Sequence, residues 1–222
     1  MPAILFGSIS TVADTSELQR AAFNQAFAEH GLDWRWDRDD YVAMLDRSGG
    51  QNRVAAYAES VGATVDAAAI HETKSRVFRE SLAGAQVEPR PGVVDTVRGA
   101  KDSGAKVGLV TTTSPDNIAA LLDALGPDVG PDSFDVIISS ADVERAKPDA
   151  AAYVTAVRRL GEEPARCIAI EDNVEGAQAA AAAGVPCVAF PNQNTAGQDF
   201  AAAERRVERL SFADLSGSLA RD

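Results

Sequence analysis

The stretch AILFGSISTVADTSE, residues 3–17, decides how this chain is interpreted. Its first four residues, Ala3–Phe6, are apolar and predict a buried strand, and the small residues from Gly7 to Thr11 predict a loop before a helix that begins near Asp14. The loop after the first strand of an α/β sheet commonly holds reactive groups. In this chain the loop has no acid, base or strong nucleophile before Asp14, and that absence is the main clue to function.

Composition narrows the possible functions of the protein. The 222 residues are 45% hydrophobic, enough for one large domain or a core with an insertion, and the net charge of −12 argues against a nucleic-acid-binding surface. Cys167 and Cys187 lie in apolar runs and are expected to be reduced and buried, and the isolated His30 and His71 do not suggest a metal site. No signal peptide or membrane-spanning run is recognisable, so we expect no membrane partner and a cytoplasmic location.

Alternating strand and helix patterns after residue 89 predict the fold class. Apolar runs at 105–110, 134–139, 167–171 and 186–190 predict strands, and helical patterns separate them. Together with Ala3–Phe6 these runs give at least five strands. Repeated β-α units predict an α/β fold, a doubly wound parallel sheet with helices on both faces.

Residues 16–88 differ from the rest because they contain helical patterns and no convincing strand. Helical patterns at 37–62 and 64–82 follow a first amphipathic helix that ends near Gly31. An all-helical insertion directly after the first strand predicts a cap over the strand ends. The predicted domains are an α/β core of residues 1–15 and 89–222 and a helical cap of residues 16–88.

Two polar motifs stand beside the carboxyl ends of predicted strands. In LVTTTSPDN, residues 109–117, Thr111 and Thr112 precede a helix N-terminus, where hydroxyl and N–H groups suit a phosphate, although the same residues are ordinary helix caps. In ERAKPDAAAY, residues 144–153, Lys147 either neutralises a phosphate or is a solvated surface lysine.

A third motif pairs two acids at a strand end. In IAIEDNVEGAQAA, residues 168–180, Glu171 and Asp172 offer oxygen ligands for Mg²⁺. Alternatively, Asp172 or Asn173 caps the helix that follows and Glu171 favours its dipole. Taken alone, the two interpretations of this pair are about equally strong.

The three motifs occur in the same order as motifs two, three and four of the haloacid dehalogenase (HAD) superfamily, which they resemble. Members of that superfamily are mostly Mg²⁺-dependent phosphatases and phosphomutases. The resemblance spans nearly the whole chain, and the helical insertion resembles the C1-type cap of that superfamily. It implies that Thr111, Thr112 and Lys147 bind phosphate and that Glu171 and Asp172 bind the metal. It also implies Mg²⁺ as cofactor and a small phosphorylated metabolite as ligand.

Within the superfamily, residues 27–59 and 107–121 are similar to the CbbY subgroup of subfamily I. The CbbY proteins are similar to the phosphoglycolate phosphatases of the same subfamily. That subgroup includes phosphatases of sugar bisphosphates such as xylulose 1,5-bisphosphate. Its Gly-Gly cap loop is followed by a basic residue that helps to recognise the substrate. Here Gly49, Gly50 and Arg53 fit this loop, whereas Gln51 stands where a lysine is expected.

The resemblance to the superfamily explains why the missing acids in the loop after the first predicted strand are informative about function. The first motif of the superfamily is Asp-x-Asp-Gly-Thr, in which the first aspartate is the nucleophile that becomes an aspartyl-phosphate and the second is the general acid/base. Aligned on Phe6 and Thr11, this chain has Gly7 in place of the nucleophile, Ile9 in place of the acid/base and Ser10 in place of the glycine. The first motif is therefore degenerate while the other three are present.

No neighbour in the sequence replaces the two lost aspartates. Asp14 already has a role as hinge and helix cap, and Ser8 and Ser10 have no base beside them in the sequence, so they are poor nucleophiles. Loss of the acid/base alone costs on the order of 10²–10⁴ in rate. Gly7 also removes a carboxylate that bridges Mg²⁺ in this superfamily, so Mg²⁺ binding is expected to be weak or absent.

Three functions follow as alternatives. The first is a CbbY-type sugar-phosphate phosphatase homologue that has lost the aspartyl-phosphate chemistry and persists as a binding, regulatory or interaction protein. The second is an active Mg²⁺-dependent hydrolase of phosphate monoesters, such as a sugar bisphosphate or phosphoglycolate, with a rearranged site. The third is a structural module that binds a protein partner, which the sequence does not name.

Overall fold

The protein folds around a parallel sheet, and the computed structural model describes residues 2–45 and 49–219. In this part of the chain six strands pair in the order β3-β2-β1-β4-β5-β6, all of them parallel. Their bounds are β1 (Ala3–Phe6), β2 (Lys106–Val110), β3 (Val136–Ile138), β4 (Cys167–Glu171), β5 (Cys187–Ala189) and β6 (Arg205–Arg206). The strand order reverses at β1, and the carboxyl ends of strands at such a reversal form the usual ligand crevice of α/β sheets.

Helices occupy the connections between the strands from β1 to β5, and one further helix follows β6. Between β1 and β2 lie α1 (Ile9–Val12), α2 (Ser16–Glu29), α3 (Arg38–Ala43), α4 (Gly50–Ser60), α5 (Ala67–Gly84) and α6 (Val93–Asp102). The later helices are α7 (Pro115–Leu125), α8 (Ala151–Leu160), α9 (Val174–Ala182) and α10 (Phe212–Leu219). No helix in the described ranges has both the length and the apolar character needed to cross a bilayer.

The alternation of side chains along β1 explains why both faces of the sheet are covered. Ile4 and Phe6 pack into one hydrophobic cluster, and Ala3 and Leu5 pack into a second cluster, so successive residues contribute to different layers. All four side chains are fully buried. The doubly wound parallel sheet predicted from the sequence is confirmed.

The helices α2 to α5 have a hydrophobic core of their own. It is rich in aromatic rings, and its buried members are Phe23, Ala26, Phe27, Trp36, Tyr41, Val54 and Ile70. The rings of Phe27 and Trp36 meet edge to face with centroids 4.6 Å apart, a favourable arrangement for an aromatic pair. This separate core agrees with a cap built from the insertion, whose borders at residues 16 and 88 stay a prediction.

Three elements of the structure have no counterpart in the expectations from sequence. The turn α1 lies where a loop is expected, and it exists because Ser8 caps it. The strand β6 has only two residues, too few for a periodic pattern, and it forms because β5 offers an unpaired edge. The helix α10 is anchored to the main core through Leu215.

Candidate functional site

The loop after β1 is a closed turn. The N–H group of Gly7 donates to the carbonyl of Ile170 on β4 at 2.8 Å. Ser8 Oγ then accepts hydrogen bonds from the N–H groups of Ser10 at 3.0 Å and Thr11 at 3.1 Å, and Thr11 Oγ1 donates to the Ser8 carbonyl at 2.6 Å. The Ser8 N–H group also donates to Thr11 Oγ1 at 3.3 Å, and this bond with the one from the Thr11 N–H to Ser8 Oγ forms a capping box. The N–H groups of Ser10 and Thr11 therefore already have an acceptor within the protein.

The carboxylate of Glu171 fills the space beside Gly7 that an aspartate side chain would need. A Cβ atom on Gly7 would lie 2.1 Å from both Cδ and Oε1 of Glu171 and 2.5 Å from the hydroxyl oxygen of Tyr153. On the opposite side, a Cβ atom on Gly176 would lie 2.2 Å from the same Cδ atom. Glu171 is fully buried between these two glycines, so its carboxylate points into the core and not into the cleft.

Lys147 holds the buried carboxylate in this position. Its Nζ atom donates to Glu171 Oε1 at 2.6 Å, to the carbonyl of Val110 at 2.7 Å and to the carbonyl of Gly7. The Tyr153 hydroxyl donates to the same Oε1 atom at 2.7 Å, while Oε2 has no hydrogen-bond partner among the described atoms. Burial raises the pKa of Glu171, and the ammonium of Lys147 acts in the opposite direction. All three N–H groups of Lys147 therefore have acceptors within the protein.

Asp172 is the acid that reaches the cleft. Its Oδ1 atom accepts from Ser8 Oγ at 2.7 Å and from Asn173 Nδ2 at 3.1 Å, and its Oδ2 atom accepts from Asn192 Nδ2 at 3.0 Å. The side chain is 4% exposed, and these three donors are neutral. The carboxylate thus lies at the floor of the cleft, where its bonded donors are all neutral groups.

The contact between Ser8 and Asp172 joins residues that are 164 positions apart, so the sequence around Ser8 does not predict it. It gives the Ser8 hydroxyl a carboxylate that accepts its hydrogen bond, while two N–H groups donate to the Ser8 oxygen. Asp14 contributes nothing to this group. It is exposed, and its Oδ1 atom accepts from the N–H and the hydroxyl of Ser16 at 3.1 and 2.6 Å.

The residues present do not fit the Mg²⁺ ion that the HAD superfamily generally uses. Within residues 2–45 and 49–219, no group of three or more His, Cys, Asp or Glu side chains is arranged to hold a metal. Position 7 supplies no carboxylate, Glu171 faces Lys147, and both oxygens of Asp172 already accept hydrogen bonds. Mg²⁺ demands a near-octahedral shell of oxygen ligands, and this set does not provide one.

The threonine loop after β2 both caps a helix and lines the cleft. Ser114 Oγ accepts from the N–H group of Asn117 at 3.3 Å and so caps α7, while Thr111 Oγ1 accepts from the N–H group of Thr113 at 3.2 Å. Thr111 and Thr112 line the floor of the cleft, and Lys147 also borders it. The two interpretations of this motif are therefore compatible, and a role in phosphate binding stays a prediction.

On the cap side, the structure brings three of the four predicted loop residues to the cleft. Gly49, Gly50 and Arg53 line it, whereas Gln51 is exposed and is not one of the lining residues. Arg53 Nε donates to the carbonyl of Met44 at 3.0 Å. The loop residues 46–48 lie outside the described part of the chain.

Two further cap residues at the cleft, His71 and Lys74, were not predicted. Lys74 is 4% exposed, and its Nζ atom donates to Gln19 Oε1 at 3.0 Å and lies 4.9 and 5.0 Å from the ring centroids of Phe23 and Phe78. No carboxylate among the described residues forms an ion pair with it. The sequence does carry a signal, because Lys74 occupies the apolar stripe of the helix predicted at 64–82, four residues after Ile70.

Burial and the neighbouring positive charges make the charged forms of Lys74 and His71 less favourable. Burial, with repulsion from Arg53, lowers the pKa of Lys74 to about 7. Burial, with repulsion from Lys74 and Arg53, lowers the pKa of His71 to about 4. Titratable groups with perturbed pKa values that lie together in a cleft are typical of a functional site.

The cleft between cap and core has a volume of about 380 Å³ and an uneven distribution of charge. Arg53, His71 and Lys74 form its roof, and hydroxyl and amide groups form most of its floor. Asp172 is the sole acid among its described lining residues. Such a volume accommodates a small phosphorylated metabolite.

Comparisons with known proteins agree with this geometry. Residues 1–184 match the family model of haloacid dehalogenase-like hydrolases. The chain is 38% identical over 216 residues to the protein CbbY of Rhodobacter capsulatus, covering 96% of this chain and 95% of that protein. CbbY of Cereibacter sphaeroides is also 38% identical, over 97% of this chain and 94% of its own length.

Solved structures give the same result. The crystal structure of CbbY from Rhodobacter sphaeroides in complex with phosphate superposes with a TM-score of 0.88 at 36% identity and covers all of both chains. A point variant of that protein in complex with xylulose-(1,5)bisphosphate superposes with a TM-score of 0.87 at 36% identity, over 99% of each chain. This chain therefore belongs to the haloacid dehalogenase-like hydrolase family, in which it is a homologue of the CbbY phosphatases.

Proposed function

We propose that this protein binds a phosphorylated small molecule of the sugar-phosphate class in the cleft and does not hydrolyse it through an aspartyl-phosphate. The proposal rests on Gly7, because this residue has no nucleophilic side chain at the end of β1. Glu171 occupies the space that a side chain at position 7 would need. The family resemblance supports the ligand class, since a CbbY relative binds xylulose-(1,5)bisphosphate. The roof formed by Arg53, His71 and Lys74 supplies basic groups for an anion.

Phosphate release from a panel of sugar phosphates tests the loss of hydrolysis. We expect turnover far below ~1 s⁻¹, a typical lower value for enzymes, and no change when Mg²⁺ is added or omitted. The second outcome follows from our proposal that the altered donor set binds Mg²⁺ weakly or not at all. Turnover at ordinary enzyme rates that depends on Mg²⁺ would overturn both statements. Calorimetry of the same ligands, with binding and no release, separates a ligand-binding protein from a purely structural partner module.

The Ser8–Asp172 pair favours one alternative, a hydrolase with a rearranged site. In that case Asp172 would take the proton of the Ser8 hydroxyl, which lies at 2.7 Å, as the serine oxygen bonds to phosphorus. The ester P–O bond would break, and the sugar alcohol would leave with a proton returned by Asp172 or supplied by water. The capping box argues against this role, because the oxygen lone pairs already accept two N–H groups. If a slow release of phosphate is measured, Ser8→Ala decides the matter, since it abolishes a serine-dependent route and leaves contaminating activity unchanged.

Replacing Lys74 with methionine is expected to stabilise the protein and to weaken sugar-phosphate binding at the same time. A buried ammonium without an ion pair is costly, and methionine has a similar length without the charge, so a gain of about 1 kcal/mol or more in the free energy of unfolding is expected at pH 7. The measurement is urea denaturation alongside calorimetry. Lys101→Met is the control at an exposed lysine, with an expected change within about 0.5 kcal/mol.

The stability difference between wild type and Lys74→Met should depend on pH with a definite sign. The pKa of Lys74 is about 7 in the folded protein against 10.5 as its ordinary value, so between these values the unfolded chain binds more protons. The stability of the wild type therefore rises with pH across this window relative to the variant. Arg53 and His71 also face the ammonium, and His71, whose pKa is lowered to about 4, is neutral throughout the window. An advantage of the variant that is constant from pH 7 to 10 would contradict the assignment.

A further inference from the structure

Two of the four lysines in this chain border the cleft, and their surroundings differ. Lys147 has an acceptor for each of its three N–H groups, and one of these acceptors is the carboxylate of Glu171. Lys74 has one hydrogen-bond acceptor, the neutral amide oxygen of Gln19 at 3.0 Å, and no ion pair among the described residues. Lys74 therefore needs only one N–H group to satisfy its partner, and its nitrogen can keep a lone pair.

The surroundings of Lys74 disfavour a positive charge. Its side chain is 4% exposed, and Nζ lies 4.9 and 5.0 Å from the ring centroids of Phe23 and Phe78, whose faces attract a cation weakly. Burial and repulsion from Arg53 act in the opposite direction and lower the pKa of Lys74 to about 7. A lysine in an apolar pocket beside another cationic group is the arrangement that makes an amine nucleophilic near neutral pH.

No described acid on the cap side of the cleft opposes this effect. The helices packed against α5 present one cation and otherwise neutral groups to this side, namely Arg53 from α4, Gln19 and Phe23 from α2 and Asn117 from α7. On α5 itself, His71 lies one turn before Lys74, and it is neutral at pH 7 because its pKa is lowered to about 4. At that pH about half of Lys74 is a free amine, against about one in a few thousand for an ordinary lysine.

We propose that Lys74 forms a reversible imine with the carbonyl group of an aldehyde or ketone bound in the cleft. The open-chain form of a sugar phosphate carries such a carbonyl, so the inference rests on the proposed ligand class and not on the loss of hydrolysis. A phosphate group on the same molecule does not need this amine, because Lys147 and the hydroxyls of Thr111 and Thr112 border the cleft on the core side.

The step is a condensation without a change of oxidation state. The lone pair of Lys74 Nζ attacks the carbonyl carbon, so a C–N bond forms and the π electrons of the C=O bond move to oxygen, which takes up a proton while nitrogen loses one. The resulting carbinolamine loses its hydroxyl group and the remaining amine proton as water, and a C=N bond is left. Neutral His71, which borders the cleft, and water carry these protons, and hydrolysis reverses the step.

Reductive trapping measures the imine directly. The protein is incubated with glyceraldehyde 3-phosphate and sodium cyanoborohydride, which reduces an imine to a stable secondary amine, and peptide mass spectrometry identifies the modified lysine. At pH 7 we expect Lys74 to be labelled at least about tenfold faster than Lys101, because more of it is free amine, and Lys147 not to be labelled. Glycerol 3-phosphate has an alcohol in place of the aldehyde, so it should label nothing and, as a competitor, should slow the labelling of Lys74 alone.

The pH dependence and two variants make this result specific. The labelling rate of Lys74 should level off above about pH 8, where its amine is already free, whereas the rate at an ordinary lysine increases about tenfold per pH unit. Lys74→Met should remove its label and leave that of Lys101 unchanged, and Lys101→Met should leave that of Lys74 unchanged. Equal labelling of Lys74 and Lys101, or a Lys74 rate that still increases about tenfold from pH 8 to pH 9, would overturn the proposal.

The outcomes separate the imine from the function on which its ligand class rests. Calorimetric binding of sugar phosphates without trapping at Lys74 overturns the imine alone. Trapping at Lys74 together with Mg²⁺-dependent release of phosphate supports the imine and overturns the loss of hydrolysis. Trapping that is as fast with unphosphorylated glyceraldehyde supports the imine and overturns the phosphorylated ligand class.

Discussion

Replacing Gly7 with aspartate is expected to destabilise the protein by at least about 3 kcal/mol and to restore no phosphatase activity. The new Cβ atom would lie 2.1 Å from Glu171 Cδ, and Gly176 closes the opposite side, so the carboxylate has no room to retreat within its pocket. The substitution also places a second carboxylate beside a buried one, with a single ammonium to balance both. Urea denaturation and phosphate-release assays measure the two effects.

A matched control and a compensating change make this result specific. A Cβ atom added to Gly197 would meet no other atom within 4 Å, so Gly197→Asp should change the free energy of unfolding by less than about 0.5 kcal/mol. Combining Gly7→Asp with Glu171→Ala removes the clash and offers Lys147 the new carboxylate, so at least half of the lost stability should return. Wild-type stability of the single variant would show that Glu171 does not block this position.

Replacing Lys147 with methionine is expected to cost about 3–5 kcal/mol at pH 7, because it leaves the buried carboxylate of Glu171 without its counter-ion. The ion pair is 2.6 Å long, and the exposed fractions of the two side chains are 5% and 0%. The pair with Lys106 provides a control, since that lysine is 30% exposed and bonded to Glu162 at 3.0 Å. Lys106→Met should cost no more than about 1 kcal/mol.

The loss in Lys147→Met should shrink as the pH falls. Burial already raises the pKa of Glu171 above 4.5, and removal of the ammonium raises it further. The folded variant then binds a proton that the unfolded chain has released, so the variant loses stability as pH rises above about 4.5. The double variant Lys147→Met with Glu171→Gln should be more stable than the single variant at pH 7. Equal losses for the single variant at pH 5 and pH 7 would contradict the ion-pair explanation.

Much of the fold follows from local patterns in the sequence. The apolar runs of β1, β2 and β4 and the alternation with helices predict the parallel sheet, because strands buried on both faces are apolar throughout. The helical insertion can also be predicted from the sequence, because its apolar residues keep a helical period over several turns. The strand β6 is not, because two residues carry no period and only the neighbouring edge of β5 makes them a strand.

The absence of two expected carboxylates can also be read from the sequence, since the residues at positions 7 and 9 are glycine and isoleucine in any fold. Which side chain occupies the space beside Gly7 depends on contacts formed in the folded protein. The inward direction of Glu171 depends on two glycines, a lysine and a tyrosine, and the chain positions of those residues range from 7 to 176.

Contacts between residues that are far apart in the sequence also determine the rest of the site. The contact between Ser8 and Asp172 and the position of Lys74 over the cleft arise from the order of the strands and the placement of the cap. A residue's type is fixed by the sequence, but its charge, its partners and the direction of its side chain are set by neighbours that folding brings together from distant parts of the chain. For this protein, the glycine at position 7 can be read from the sequence, whereas the inward direction of Glu171 and the position of Lys74 beside the cleft depend on packing.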